Sequence, residues 1–272
     1  MITELKTSES PVFSAAITSD NSCVVEGAGD GKLFIFQRTG PKDFMLVKTI
    51  EEYSSIAKMK FSPTGELYIT GAPSANYRNV VIDVWDIENY EKIASLLNSE
   101  VNLHVISDIS FTSKGDLVAF AVSNDKKGIE VYSAETKKLA YKITTKHDVT
   151  TCSFTPDGKF IAAVGTDNKV KLYDCATKTV KWVSEWKTGA TYYVMGVQVS
   201  PYGKQVAACG RGSGYMAIIF DSANGKTIKT YSTKNSNANA IKYSNNGLNI
   251  YIALTTYGDI AKVPIVKMYP VN

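Results

Sequence analysis

Six short turn signatures punctuate the chain at almost equal intervals, and this regularity constrains the fold more than any other feature of the sequence. They are TSDN at 18–21, SPTG at 62–65, TSKG at 112–115, TPDG at 155–158, SPYG at 200–203 and SNNG at 244–247, separated by 44, 50, 43, 45 and 44 residues. A proline at the second position presets one backbone dihedral and a glycine at the fourth tolerates an unusual one, so each reads as a tight turn between two strands. Over 272 residues a period of about 45 leaves no space for a second domain, and the whole chain, 1–272, is expected to form one.

Each turn is flanked by apolar runs in a fixed order. A first run precedes it, such as IAKMKF (56–61), ISDISF (106–111), VTTCSF (149–154) or VMGVQV (194–199), and a second follows it, such as ELYITG (66–71) or KFIAAVG (159–165). A third ends on an aromatic at Phe36, Trp85, Tyr132, Tyr173 or Phe220, and a fourth, more polar run comes after, as in FMLVKTI (44–50) or KLAYKI (138–143). Alternation with β-branched and aromatic enrichment predicts strands, four per period, and no segment sustains a helical period. One four-stranded sheet of this size cannot bury both faces, so the sheets are expected to stack face to face around a ring. In the sixth repeat the third strand is expected at 259–266, DIAKVPIV.

Hydrophobic residues make up 44% of the chain and charged ones 21%, which excludes disordered, collagen-like and polytopic membrane classes. No apolar run is long enough to span a bilayer, and Glu4, Lys6 and Glu9 interrupt the opening stretch where a signal peptide would be apolar. Cys23, Cys152, Cys175 and Cys209 are scattered with no C-x-x-C pair, which suits free thiols, and Cys23, Cys152 and Cys209 lie in apolar strand patterns as small buried hydrophobes, consistent with a reducing compartment, cytoplasmic or nuclear. Net charge runs from −5 over residues 1–100 to +3 over 101–187 and +6 over 188–272. Of the 30 basic residues, 27 are lysine, and nucleic-acid sites favour clustered arginine with stacking aromatics, so nucleic acid is not the expected partner.

The Ser/Thr-Pro-x-Gly turns, the aromatic closing the third strand, and the pairs Trp85-Asp86, Tyr173-Asp174 and Phe220-Asp221 resemble the WD40-repeat β-propeller family across essentially the whole chain. No Gly-His dipeptide occurs, and Val263-Pro264 stands where the sixth signature pair is expected. The resemblance implies an all-β, six-bladed β-propeller of four-stranded antiparallel blades. Residues 2–7, ITELKT, precede the first repeat as an orphan strand, and pairing them with the sixth repeat would close the ring and leave no open edge. The competing arrangement is an open ring that accepts a partner's strand.

Candidate chemistry is sparse. His104 and His147 each stand seven residues before a first-strand aromatic, Phe111 or Phe154, and are equivalent by repeat. In related propellers such a histidine bonds a turn aspartate, and Asp167 resembles that partner for His147. The string Gly27-Ala28-Gly29-Asp30-Gly31 lacks the following helix that a phosphate loop requires and reads as a turn. No nucleophile elbow or carboxylate pair is present, so no catalytic residue, metal or cofactor is predicted. What remains is a surface on which loops joining fourth to first and second to third strands converge. That face is expected to gather Tyr77, Arg78, His104, His147, Trp186, Tyr192, Tyr193, Arg211, Tyr215 and Tyr257, with two of the three arginines among them. Aromatics and arginine dominate interface hot spots, and the resemblance implies a non-catalytic scaffold for a protein or peptide partner within a larger assembly. The alternatives are a coat-like or pore-like component completed in trans, a propeller enzyme, and an anion-binding module using residues 188–272.

Overall fold

The computed structural model describes residues 5, 10–100, 105–186, 192–212, 216–232, 236–256 and 265–271. Six antiparallel sheets follow one another along the chain, each a meander whose strands pair in sequence order. The first comprises β1 (Val12–Ile17), β2 (Cys23–Ala28), β3 (Leu33–Arg38) and β4 (Phe44–Ile50), and the second β5 (Tyr53–Phe61), β6 (Leu67–Pro73), β7 (Asn79–Asp86) and β8 (Glu91–Glu100). The third is built from β9 (Val105–Phe111), β10 (Leu117–Ser123), β11 (Gly128–Ser133) and β12 (Leu139–Thr144), and the fourth from β13 (Val149–Phe154), β14 (Phe160–Gly165), β15 (Lys169–Asp174) and β16 (Val180–Glu185). The fifth holds β17 (Tyr192–Val199), β18 (Gln205–Gly212), β19 (Ala217–Asp221) and β20 (Thr227–Tyr231), and the sixth β21 (Ser236–Tyr243), β22 (Asn249–Thr256) and β23 (Ile265–Pro270). The architecture is a six-bladed, all-β propeller. The one helical element among the described residues is a single 3-10 turn, Asn124–Lys126.

The turn signatures have a direct local cause. In every one the amide of the fourth residue donates to the carbonyl of the first, from Asn21 to Thr18 (2.9 Å) through Gly158 to Thr155 (2.9 Å) to Gly247 to Ser244 (2.8 Å). The fourth residue has positive φ, which is why glycine recurs there. The first repeat substitutes Asn21 (φ 59), a residue type that tolerates the left-handed region. The opening Ser or Thr accepts the amide that starts the next strand, as Ser62 does from Glu66 (3.0 Å) and Thr155 from Phe160 (3.0 Å).

In the first five sheets the second and third strands lie in the middle and are largely buried on both faces, which explains their continuous apolar runs: Leu67, Tyr68 and Ile69, or Val118 through Val122, are wholly inaccessible. Apolar clusters fill the seams between sheets one and two, two and three, three and four, four and five, and five and six. The inner strands follow the same succession, β1 on β5, β5 on β9, β9 on β13, β13 on β17 and β17 on β21. Among the described residues no packing on that scale joins the sixth sheet to the first. On the first sheet's far face, Ala28, Phe34 and Phe36 are covered in part by Leu5, while the sixth sheet exposes Val266 (65%) and Met268 (59%). Apart from Leu5, the ITELKT segment expected to close the ring lies outside the described residues.

The sixth repeat differs from the sequence reading in one respect. Its third strand is β23 at 265–270, not 259–266, and Ile250 pairs with Tyr269 and Asn249 with Pro270. Those pairings match Ile161 with Tyr173 and Phe160 with Asp174 in the fourth sheet. Tyr269-Pro270, not Val263-Pro264, therefore occupies the signature position, and the third strand does end on an aromatic. Residues 257–264, which include the start of the expected strand, lie outside the described residues.

Candidate interaction face and channel mouth

Linkers entering the inner strands meet the loops between second and third strands: Gly29 donates to the Pro11 carbonyl (2.8 Å), Ser74 to Glu52 (2.9 Å) and Thr166 to Asp148 (3.1 Å). Both loop classes thus emerge on one face, and the turn signatures emerge on the other. Each inner strand carries at least one extra residue near this face, for example Thr150 in β13 and Met195 in β17, and β5 carries two. There the neighbouring strand approaches so closely that a Cβ at Gly165 or Gly210 would collide with the carbonyl of Asp148 or Tyr193. This is the physical reason for the glycines that end several second strands.

On the loop-rich face Tyr77 (69% exposed) and Tyr193 (58%) stand out, with Arg78, Arg211 and His147 also exposed. The Arg78 guanidinium lies 5.9 Å from the Tyr77 ring centroid. Tyr193 and Arg211 are cross-strand partners, and Arg211 donates through Nε (3.0 Å) and a terminal nitrogen (2.6 Å) to Asn239 Oδ1 on the adjacent sheet. The structure therefore brings Tyr193 and Arg211 together, and keeps Tyr77 with Arg78 in the second sheet's loop. His104, Tyr215 and Tyr257, and the side chain of Tyr192, lie outside the described residues.

Two expectations are corrected here. Trp186 is 1% exposed and packs in the seam between the fourth and fifth sheets with Trp182, Val194 and Val197, so its indole is core and unavailable to a partner. The His147–Asp167 bond does not form. Asp167 accepts the Lys171 ammonium and the Lys169 amide, while the His147 carbonyl accepts from Thr145 Oγ1 (2.7 Å). A lysine four residues along satisfies the carboxylate, leaving the imidazole in solvent.

A polar network locks the second sheet instead. Trp85 Nε1 donates to the Tyr53 hydroxyl (2.7 Å), which donates to Asp83 Oδ2 (2.9 Å), and Lys92 bridges Asp83 (3.5 Å) and Glu52 (2.8 Å). Burial, reinforced by the Asp83 charge, pushes the Tyr53 hydroxyl far above its ordinary pKa, so it is a permanent donor.

Around the central channel runs a second feature that sequence reasoning missed. Residues four and two positions before a turn signature point into the channel and accept backbone amides from the next sheet. Ser14 accepts from Met59 (2.9 Å), Asp108 from Cys152 (3.1 Å), Thr151 from Val197 (3.2 Å), Ser110 from Phe154 (3.0 Å), Ser153 from Val199 (3.0 Å) and Gln198 from Tyr243 (2.6 Å). Lys60 and Lys242 occupy the same position in the second and sixth sheets and cannot accept. Lys60 Nζ donates to the Ile109 carbonyl (3.1 Å). The available signal was a polar residue recurring two before the turn in otherwise apolar strands.

Comparison with known proteins agrees with the fold. Residues 138–174 match the family described as WD domain, G-beta repeat. SEC12-like protein 2 of Arabidopsis thaliana is 26% identical over 155 residues, which is 56% of this chain and 37% of that protein. SEC12-like protein 1 of the same plant is 26% identical over 167 residues, 61% of this chain and 40% of that protein. The matched stretch thus spans well under half the length of either relative. Among the described residues no helix is long and apolar enough to cross a membrane.

Proposed function

Because this chain is a divergent member of the WD40-repeat β-propeller family, we propose that it is a non-catalytic platform that binds a protein or peptide partner on its loop-rich face, as a subunit of a larger assembly. The observation that carries this reading is the exposure of Tyr77, Arg78, Tyr193 and Arg211 on that one face of the propeller. Tyrosine and arginine offer large contact area and planar hydrogen bonding at low ordering cost, and Arg211 is already oriented by two bonds to Asn239. The four thiols, all unpaired, suit a reducing compartment, and the reading places the protein in the cytoplasm or nucleus.

The test is affinity purification from the native source, identification of the co-purifying chain, and direct binding of that chain to purified protein. Arg78→Ala combined with Arg211→Ala is expected to leave the circular dichroism spectrum intact and weaken binding at least about tenfold, as hot-spot truncations do. Unchanged affinity would reject this face as the docking site.

A further inference from the structure

On the face opposite the proposed platform, the turn signatures surround a cavity of about 420 Å³ at the mouth of the channel. Five residues from the position two before the turn reach it, one from each sheet after the first: Lys60, Ser110, Ser153, Gln198 and Lys242. Their bonds to the neighbouring sheets decide what they offer to the cavity. The Ser110 and Ser153 hydroxyl oxygens accept the amides of Phe154 and Val199, so the proton on each hydroxyl is left to donate. The Gln198 amide oxygen accepts from Tyr243, which leaves its NH₂ group. Lys60 uses one of three N–H bonds on the Ile109 carbonyl, and the exposed Lys242 ammonium makes no hydrogen bond or ion pair among the described residues.

The layer is therefore a ring of donors that includes two lysines, and among the described residues no carboxylate lines the cavity. Asp108, two positions before Ser110 on the same strand, has its oxygens on the amides of Ile109 (2.9 Å) and Cys152 (3.1 Å). Desolvation of its ammonium at the channel wall lowers the pKa of Lys60, the Asp108 carboxylate raises it, and the like charge of Lys242 lowers it least of the three. Two ammonium groups drawn to one cavity without an anion between them repel each other, and an anion relieves both the repulsion and the desolvation.

From this geometry we propose that the channel mouth binds a phosphate group, held by Lys60 and Lys242 and by donors from Ser110, Ser153 and Gln198. A carboxylate would balance one charge and present two oxygens. A phosphate monoester carries nearly two charges and three free acceptor oxygens, which matches two ammonium groups and donors arriving from five directions. The cavity also has space for the organic part of an ester.

Titration of the purified chain with inorganic phosphate and with O-phosphoserine, followed by calorimetry, tests this. Saturable binding of at least one is expected, and the tighter of the two identifies the source as free ion or ester. Lys60→Gln, which keeps a donor for the Ile109 carbonyl, and Lys242→Gln, at an exposed position without a partner, are each expected to weaken binding by about tenfold. Lys226→Gln, on an outer turn, is expected to change it by less than about twofold. No saturable binding to the wild-type chain overturns the proposal. So does wild-type affinity in a folded Lys242→Gln variant, or an equal loss in Lys226→Gln, which would mark nonspecific charge attraction. The platform reading stands or falls separately, because its arginines lie on the other face.

Discussion

A single hydroxyl joins three buried groups in the second sheet. Tyr53 accepts from the Trp85 indole and donates to Asp83, so Tyr53→Phe leaves a buried indole N–H without its acceptor and removes one of the donors to Asp83. The expected loss is about 1–3 kcal/mol, read as a lower denaturant midpoint at unchanged slope; an unchanged midpoint would show that the network contributes nothing net. Chemical modification reads a different set of residues. Burial pushes the thiols of Cys23 and Cys175 up to about 11 and that of Cys209 to about 12, and raises Cys152 well above its ordinary value. All four are protonated at neutral pH, so iodoacetamide is expected to label the native chain slowly and to label four sites once it is denatured. A rapidly labelled native cysteine would contradict this. Trp186 marks the limit of residue-level reading: placed just past a polar fourth strand, it looked like a loop aromatic. Whether such a side chain turns outward or into the seam depends on the neighbouring sheet, whose Val194 and Val197 are supplied by residues beyond the loop.

Elements were legible where their cause is local. The turn signatures contain the residues that make the turn, and the third-strand aromatics sit where the strand meets it, so strand order and number followed from spacing. The signature pair of the sixth repeat lies six residues later than expected because more residues separate β22 from β23 than separate the second and third strands of the other repeats, and Val263-Pro264 imitated the signature; cross-strand pairing with Ile250, which spacing does not contain, decides the register. The channel stitches were illegible for the same reason, since each joins residues 44–46 positions apart. Ser153→Ala removes the acceptor for the Val199 amide and is expected to cost about 1–3 kcal/mol. It should also speed hydrogen exchange at Val199 far more than at Val206, and equal protection factors would dismiss the stitch. The turns also set an acid response. Hydrogen bonds from the Thr18 hydroxyl and from the Ser22 amide and hydroxyl hold Asp20 down to about 2, and those from Asn89 lower Asp86. A carboxylate with a depressed folded-state pKa adds stability above its unfolded value and loses it as pH falls through the folded one. The melting temperature is therefore expected to fall between the ordinary carboxylate range and about pH 2, less steeply in Asp20→Asn; a parallel slope in that variant would remove Asp20 from the account.

At the scale of the whole molecule the informative place is the seam between the first and last sheets. Five seams share one construction, apolar side chains filling the space between adjacent sheets, and four of the five also carry backbone amides accepted by channel-facing side chains. At the sixth, Ala240 and Lys242 occupy the two stitching positions and neither can accept an amide. Closure there cannot use the device that four of the other seams carry. What the first sheet does carry there is Leu5, packed over Phe34 and Phe36 on its outward face, while Val266 and Met268 are exposed on the sixth sheet, which has three described strands where the others have four. Residues 2–7 number the same as β23, so pairing them along its free edge would complete the fourth strand and shield both surfaces. Deleting residues 1–8 is then expected to lower the melting temperature of the entire ring, not only to loosen its end, because an unstitched seam has only apolar contact to lose. Leu5→Ala should reproduce part of the effect, about 2 kcal/mol for a half-buried leucine. Calorimetry of both variants decides the matter: a truncated chain that melts at the original temperature would mean that the N-terminal segment does not close the ring.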